Sequence, residues 1–482
     1  MGNSQSFPPA SQAGSPLQLC LNNVFASSAG SVSYPQNAFY QLLDVKPYNR
    51  HIPITPAAVT RPTTSEDISE IVACAGASGV KVQARSGGHS FANYGLGGQD
   101  NAVVVDMVHF QQFSMDTSTW QATVGAGTLL RDLKTRLHNA GRRAIAHGTC
   151  PQVGIGGHAT IGGLGPISRQ WGMALDHILE VEIVLANGTI TRASATRNPD
   201  ILFAMKGAAA SFGIVTEFVF LTHLEPPNLW SSYSILLGKH ADMVSTFATW
   251  QSMVADPALD RKLATQVVVF ERGMLISATY FGTKEEYKSL NFQQRLAQGR
   301  DAPVSVVTLD GWLGVIGSWA ERVLLALGGA TSIPFYSKSL TVGANNLIPP
   351  NGIGELFNYF DTAKKSTPLW FAIFDLAGGA VNDVPQNSTA FPHRNTLFYL
   401  QTYAIGIGTL SDVTVTFLTG VSKLLTHSMP EVQFGAYPGY VDPLLNDGPR
   451  KYWGVNLEQL QNIKTAIDPG DLFHNPQSVP PA

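Results

Sequence analysis

Three glycine-rich stretches within about 80 residues carry the side chains best suited to chemistry. They are Arg85-Ser-Gly-Gly-His89-Ser90, Gly148-Thr-Cys150-Pro-Gln-Val-Gly-Ile-Gly-Gly-His158 and Gly162-Gly-Leu-Gly165. Glycine lets backbone N–H groups approach a large ligand, and clustered amides form concavities suited to a pyrophosphate. Ordinary tight turns use glycine as well. Three such stretches, two of them bearing a His or Cys, point instead to a cofactor cradle. None gives Gly-x-Gly-x-x-Gly between a strand and a helix, and no Gly-Lys-Ser/Thr phosphate loop occurs. Cys150 with His158 admits two rivals, a thiol nucleophile or a zinc pair. The first needs a base and an orienting partner. The second needs about four ligands, more than three cysteines near scattered histidines provide.

These stretches must be held by regular elements. Val80 to Ala84 alternates as a strand running into Arg85, and Arg143 to Ala146 leads as a strand toward Cys150. Thr64 caps a helix carrying Ile68, Ile71 and Val72, and Leu129 to Ala140 is an amphipathic helix. Ala102 to Met107 and Trp120 to Val124 are strands. Residues 178–222 alternate strand, turn, helix and strand, with Asn187-Gly188 as a hairpin turn. After Glu225-Pro226-Pro227 the texture changes. Long alternating strands (Trp230 to Leu237, Ala264 to Phe270, Leu275 to Phe281, Trp370 to Leu376, Leu397 to Tyr403) are separated by helices such as 242–255 and 311–328. This predicts an antiparallel sheet with helices against one face. The expected organisation is α+β in two domains: 1–222 completed by 431–482, and 223–430.

Composition narrows the class. Of 482 residues 44% are hydrophobic and only 13% charged, so Ser, Thr, Asn and Gln must supply much of the polar surface. A net charge of −3 gives no pull toward nucleic acid or anionic lipid. No stretch approaches the roughly 18 apolar residues of a spanning helix, so a soluble protein without a membrane partner is expected. The odd cysteine count (Cys20, Cys74, Cys150) suggests one bridge and one thiol with another fate. Sequons at Asn187 and Asn387 fit a glycosylated secreted protein. The polar, Pro/Ser-rich start reads as a mature form lacking a leader, although its Met-Gly-Asn-Ser-Gln-Ser also matches a myristoylation pattern.

Arg85-Ser-Gly-Gly-His89-Ser-Phe-Ala-Asn-Tyr-Gly and Gly148-Thr-Cys150-Pro-x-Val-Gly-x-Gly-Gly-His158 resemble the two flavin-attachment motifs of berberine-bridge-enzyme-like oxidases. These are FAD proteins of the vanillyl-alcohol-oxidase type, with a PCMH-like FAD-binding domain and an antiparallel-sheet substrate domain. The chain is most similar to their fungal oligosaccharide oxidases, down to Asp468-Pro-x-x-Leu-Phe473 and Asn475-Pro476-Gln477-Ser478. The resemblance implies covalent FAD, bonded by His89 at the 8α-methyl and by Cys150 at ring C6. Arg85, Ser86, Gly87 and Gly88 would hold the pyrophosphate, Ser90 would also bind the cofactor, and Gly154 to Gly157 and His158 would line the isoalloxazine. Val153 would control oxygen access. Cys20 and Cys74 match a family disulfide.

The implied reaction oxidises the reducing-end C1 hydroxyl of an oligosaccharide to a lactone and reduces O₂ to hydrogen peroxide. Removing the hydroxyl proton calls for a base, and a phenolate serves if its pKa is lowered. In Tyr437-Pro438-Gly439-Tyr440, resembling the family's Tyr-x-Asn-Tyr, Tyr440 is the implied base, with Asp375 as its helper. On residues alone a structural Tyr–Asp hydrogen bond accounts for them equally well. Gln266, Gln401, Thr149 and Tyr437 match substrate-side positions, and Gln266 favours an N-acetylglucosamine-type reducing end. Exposed-looking Trp370, Tyr403 and Trp453 offer stacking platforms, although core packing explains them as well. Three positions depart from the pattern: Phe91 for Tyr, Ile373 for Gln and Gly439 for Asn. A monomer is expected. An oxidase of secondary metabolites and a non-catalytic carbohydrate-binding flavoprotein remain as alternatives.

Overall fold

The computed structural model describes residues 14–297, 304–310, 332–406 and 408–482, with strand 304–310 described by its backbone; the expected helix 311–328 lies outside these residues. A four-stranded sheet orders Ser31–Ser33, Ala58–Arg61, Val103–Asp106 and Val82–Arg85, the last three strands mutually parallel. Helices Pro16–Val24 and Ser65–Ala77 share a core with it and are joined by the Cys20–Cys74 disulfide, Cα–Cα 5.7 Å. Thr64 caps the second helix, its hydroxyl accepting from the Asp67 amide at 3.1 Å while the Asp67 carboxylate accepts from the Thr64 amide. Ile68, Ile71 and Val72 are thereby turned inward.

A five-stranded antiparallel sheet follows, ordered Phe113–Asp116, Gln121–Gly125, Gly213–Leu221, Ile178–Leu185 and Ile190–Ser194. Asn187-Gly188 closes the hairpin between the last two strands. The expected strand at Arg143 shortens to Arg143–Ala144, paired with His223–Leu224. The C-terminal segment packs into this same core through Tyr452, Leu460, Phe473 and Val479. Its anchor is Lys464, wholly buried, which donates to Asp468 at 2.6 Å and to the Ser211 and Phe473 carbonyls. Such a charge is tolerated inside only because its donors are all satisfied.

The remaining sheet has seven antiparallel strands: Val304–Asp310, Leu229–Leu237, Gly273–Tyr280, Leu263–Phe270, Trp370–Leu376, Thr396–Ile405 and Phe335–Gly343. Helices Val244–Val254, Pro350–Thr362 and Asp412–Ser428 cover one face, packing Phe247, Trp250, Phe357 and Phe417 on Trp370, Phe374 and Phe398. The last two helices and both edge strands, Val304–Asp310 and Phe335–Gly343, are not among the sequence expectations. The opposite face carries Val268, Leu275, Phe335, Phe371 and Tyr403, with Tyr48 and Phe91 of the first 222 residues against it. The two-residue period of the strand Trp370–Leu376 therefore separates Trp370 and Phe374 from Ile373 and Asp375. This corrects one expectation: Trp370 is fully buried on the helix side, stacked on Phe360 and donating its indole N–H to Glu271, and offers no platform for a sugar.

Candidate active site

A cavity of about 480 Å³ lies where the cavity-facing side of this sheet meets the glycine-rich loops. That size suits a ligand site. The two loops on its first wall are pressed together through glycine. A Cβ on Gly87 would stand 2.3 Å from the Gly154 amide nitrogen, and one on Gly154 would stand 2.2 Å from that of Gly87. The second loop is fastened from behind, where Ile155 and Gly156 amides donate to the Thr128 and Ala126 carbonyls. The Ser86 hydroxyl donates to the same Ala126 carbonyl at 2.6 Å. Ser90 ends the first loop by accepting from the Tyr94 amide at 2.9 Å. Gly157, by contrast, has no atom within 4 Å of its Cβ position, and it faces the cavity.

His89, Cys150, Val153 and His158 line this wall. Burial pushes His89 down to about 4, so the imidazole is neutral near pH 7. His158 is pushed to about 3 by burial and by His147 beside it. Its Nε2 accepts the Gly148 N–H at 2.8 Å, which assigns its proton to Nδ1. The Tyr48 ring meets His89 with centroids 4.4 Å apart and the planes tilted by 34°, and its phenol is pushed upward by burial and then by the charge of Cys150. Arg85 lines the cavity, but its guanidinium is held by Asp106 at 2.5 Å and by the Val45 and Asp44 carbonyls.

The opposite wall comes from the sheet and the segment after it. Gln266 stands opposite Asp375 in register, and Gln401 opposite Ile373, so all four share the face that lines the cavity. Tyr437 and Tyr440 border it as well, and Thr149 lines the cavity from the loop that carries Cys150. The Tyr437 hydroxyl accepts from the Gly163 amide at 3.0 Å and from that of Leu164 at 3.4 Å, tying the third glycine stretch to this segment. Burial pushes Tyr437 up to about 12, and the nearby Asp375 charge adds to it. Tyr440 sits in the turn Pro438–Tyr440, half-buried, its ring edge-on to Tyr437 at 5.0 Å and stacked with Phe91 at 6.1 Å. Two residues on, buried Asp442 accepts from Lys338 at 2.5 Å and from the Tyr336 hydroxyl at 2.6 Å. Sequence reasoning assigned no role to Asp442 or Tyr48. Asp442 stood within the tyrosine segment as a signal, whereas nothing near Tyr48 marked it.

The residues expected at the site, from Arg85 to Tyr440, thus border one cavity, with two exceptions inside Gly154 to Gly157: Ile155 is turned into the core and Gly156 packs against the Ala126 carbonyl. Tyr403 and Trp453 border it too, but both are buried, and the Trp453 indole donates to the Gly207 carbonyl. Family models match twice: an FAD binding domain over residues 56–194 and a berberine and berberine-like segment over 436–480. The chain is 38% identical to the FAD-linked oxidoreductase sorD of Penicillium rubens, covering 98% of this chain and 99% of that one. It is 35% identical to a xylooligosaccharide oxidase of Thermothelomyces thermophilus over 91% of this chain and 90% of that one. A solved glucooligosaccharide oxidase of Acremonium strictum, described with 6-S-cysteinyl, 8α-N1-histidyl FAD, superposes with a TM-score of 0.88 at 26% identity, covering 97% of this chain and 99% of that one.

Proposed function

The chain belongs to the berberine-bridge-like FAD-linked oxidoreductases, and from that membership we propose that it holds FAD on His89 and Cys150 and oxidises the reducing-end C1 hydroxyl of an oligosaccharide to a lactone. The carrying observation is the shared cavity: His89 and Cys150 on one wall, Tyr440, Asp375, Gln266 and Gln401 on the other. The residues fit a flavin. A thiol and a neutral imidazole are the groups that form such bonds, and Gly157 leaves open the space a large ring needs. The buried Tyr94 hydroxyl, on the same wall, makes no hydrogen bond within the protein and is placed for a ligand.

Bound FAD supplies hydride acceptance and the return of electrons to O₂ as hydrogen peroxide. The protein's part is to bind, orient and move one proton. Tyr440 takes the proton of the substrate hydroxyl at its phenol oxygen, with Asp375 assisting it. Gln266 and Gln401 offer amides for sugar hydroxyls, and Gln266 favours an N-acetylglucosamine-type end. We read the protein as secreted and monomeric; its disulfide and its two exposed sequon asparagines support the secretion.

A second reading has its own observation. Phe91 and Ile373 face the cavity where the sugar-oxidising pattern has polar groups, and Tyr48, Tyr233 and Tyr403 extend that apolar wall. Such a wall suits a flat, hydroxylated secondary metabolite. Acid precipitation of the purified protein, followed by flavin-peptide mass, tests the cofactor assignment; flavin released to the supernatant would end it. A peroxide assay then separates the substrates. Turnover of chito- or xylo-oligosaccharides supports the first reading, and activity confined to aromatic alcohols replaces it with the second.

A further inference from the structure

The residues before the first glycine loop contain an arrangement that the proposed chemistry has not used. Tyr48 lies in the connection ahead of the strand Ala58–Arg61, 41 positions before His89 in the chain. Its ring nonetheless covers the His89 imidazole, with centroids 4.4 Å apart and planes tilted by 34°. Phe335 meets the ring edge-on at 5.4 Å, and Phe91 lies at 6.1 Å. The ring is thus held between the loop that carries His89 and the sheet that carries the substrate groups.

The backbone bearing this ring is fixed more firmly than a connecting segment requires. The Asn49 side chain donates to the Phe91 carbonyl at 2.8 Å and to the Phe335 carbonyl at 3.0 Å. Its oxygen accepts from the His51 amide at 2.9 Å and the Phe335 amide at 3.3 Å. Asn93, four residues beyond His89, returns the clasp: its oxygen accepts the Asn49 amide at 3.0 Å, and its amide group donates to the Asn49 and Ile52 carbonyls. Both asparagines are only 2% exposed. Buried amides with this many partners have one satisfied orientation, so they behave as a rigid strut. The strut fixes the backbone next to Tyr48, whose ring meets His89.

We infer that Tyr48 is a positioning residue for flavin attachment, fixing the plane of the His89 imidazole so that its ring nitrogen faces the cofactor. This rests on the reading that His89 carries the flavin. Attachment would replace a C–H bond of the flavin methyl and the imidazole N–H with one C–N bond, the two protons and two electrons passing to O₂ as hydrogen peroxide; a ring that must meet one carbon atom gains from losing its rotation beforehand, as any oriented reaction does. Burial also keeps the imidazole neutral, and only a neutral ring has a lone pair to offer.

The test is the flavin-peptide map of purified holoenzyme for the wild type, Tyr48→Phe and Tyr48→Ala. Tyr48→Phe keeps the stacking face and is expected to carry flavin on both His89 and Cys150. Tyr48→Ala is expected to lose flavin from the His89 peptide while retaining it on Cys150. A general structural weakening would remove both links together, so that result overturns the inference, as does a Tyr48→Ala protein fully linked at His89. Should Tyr48→Ala not fold, Tyr48→Leu keeps the apolar bulk against Phe335 and is read the same way. A wild-type His89 peptide without flavin would instead overturn the underlying attachment reading.

Discussion

Exchanging a single hydrogen for a methyl group at Gly154 should separate the two attachment loops. Gly154 has φ −87° and ψ 137°, which any residue adopts, so the penalty of Gly154→Ala is contact alone. The new Cβ would lie 2.0 Å from the Ser86 hydroxyl and 2.2 Å from the Gly87 amide nitrogen. The hydroxyl can rotate only by giving up its bond to Ala126, and the amide nitrogen cannot rotate at all. Reaching ordinary contact at 3.4 Å requires the Gly87 amide to move back by about 1.2 Å, so the loops must part. Overpacking of this kind costs about 1–3 kcal/mol. A misplacement of ~1 Å at reacting groups lowers a rate by as much as ~10²-fold. Since His89 and Cys150 lie on the two separated loops, one ligand must then bridge a wrong spacing. Urea unfolding measures the first effect, and the fraction of flavin bound at both residues measures the second. Gly157→Ala is the matched control. It meets no protein atom and sits in a helix, where alanine gains up to ~1 kcal/mol over glycine. It should therefore keep or raise stability while crowding the cavity and weakening flavin binding. A Gly154→Ala protein with unchanged stability and both links intact would refute the loop-contact reasoning. A Gly157→Ala protein with undiminished flavin would refute the cradle.

Other outcomes follow from the same geometry. Tyr440→Phe should retain bound flavin and lose about 10²–10⁴-fold in kcat, read by peroxide release; near-normal turnover would remove Tyr440 as the base. Replacing Cys20 and Cys74 with serine opens a loop with a sequence separation of 54, which should cost about 4 kcal/mol of unfolding free energy in denaturant titration. His147 and His393 are held near 4 and His158 near 3 by burial, against 6.5 when unfolded. The unfolded chain therefore binds protons first as pH falls. Stability should be complete above pH 6.5 and decline through about 4; an unfolding free energy flat across that window would contradict it.

Much of the site was legible because its signals are local. The glycine spacing around His89 and Cys150 marks backbone that must come close to something large, and the structure brings those backbones against each other. Thr64 and Asp67 announce a helix start within four residues, and Asn187-Gly188 a hairpin. Strand parity is local too: once Asp375 is placed on the cavity side, Ile373 must join it and Trp370 must not. What parity alone left open is which side meets helices. Trp370-Phe-Ala-Ile-Phe-Asp-Leu376 carries large apolar residues on both faces, with Asp375 alone marking one of them, so the burial of Trp370 could not be read from it.

The sequence by itself determined the pieces: the attachment loops, the strands that feed them, the tyrosine segment and the caps that start helices. Each is encoded within a window of a few residues, where sterics and periodicity act directly. Only the tertiary structure decided the partners. It turned the Arg85 guanidinium onto Asp106 instead of outward, used the Tyr437 hydroxyl to hold Gly163, backed the Tyr440 turn with Asp442 and Lys338, and laid Tyr48 over His89. These contacts join residues 21 to 274 positions apart in the chain. No local pattern records such a pairing, because a donor, a ring or a charge shows what it can bind but not what the fold will bring to it.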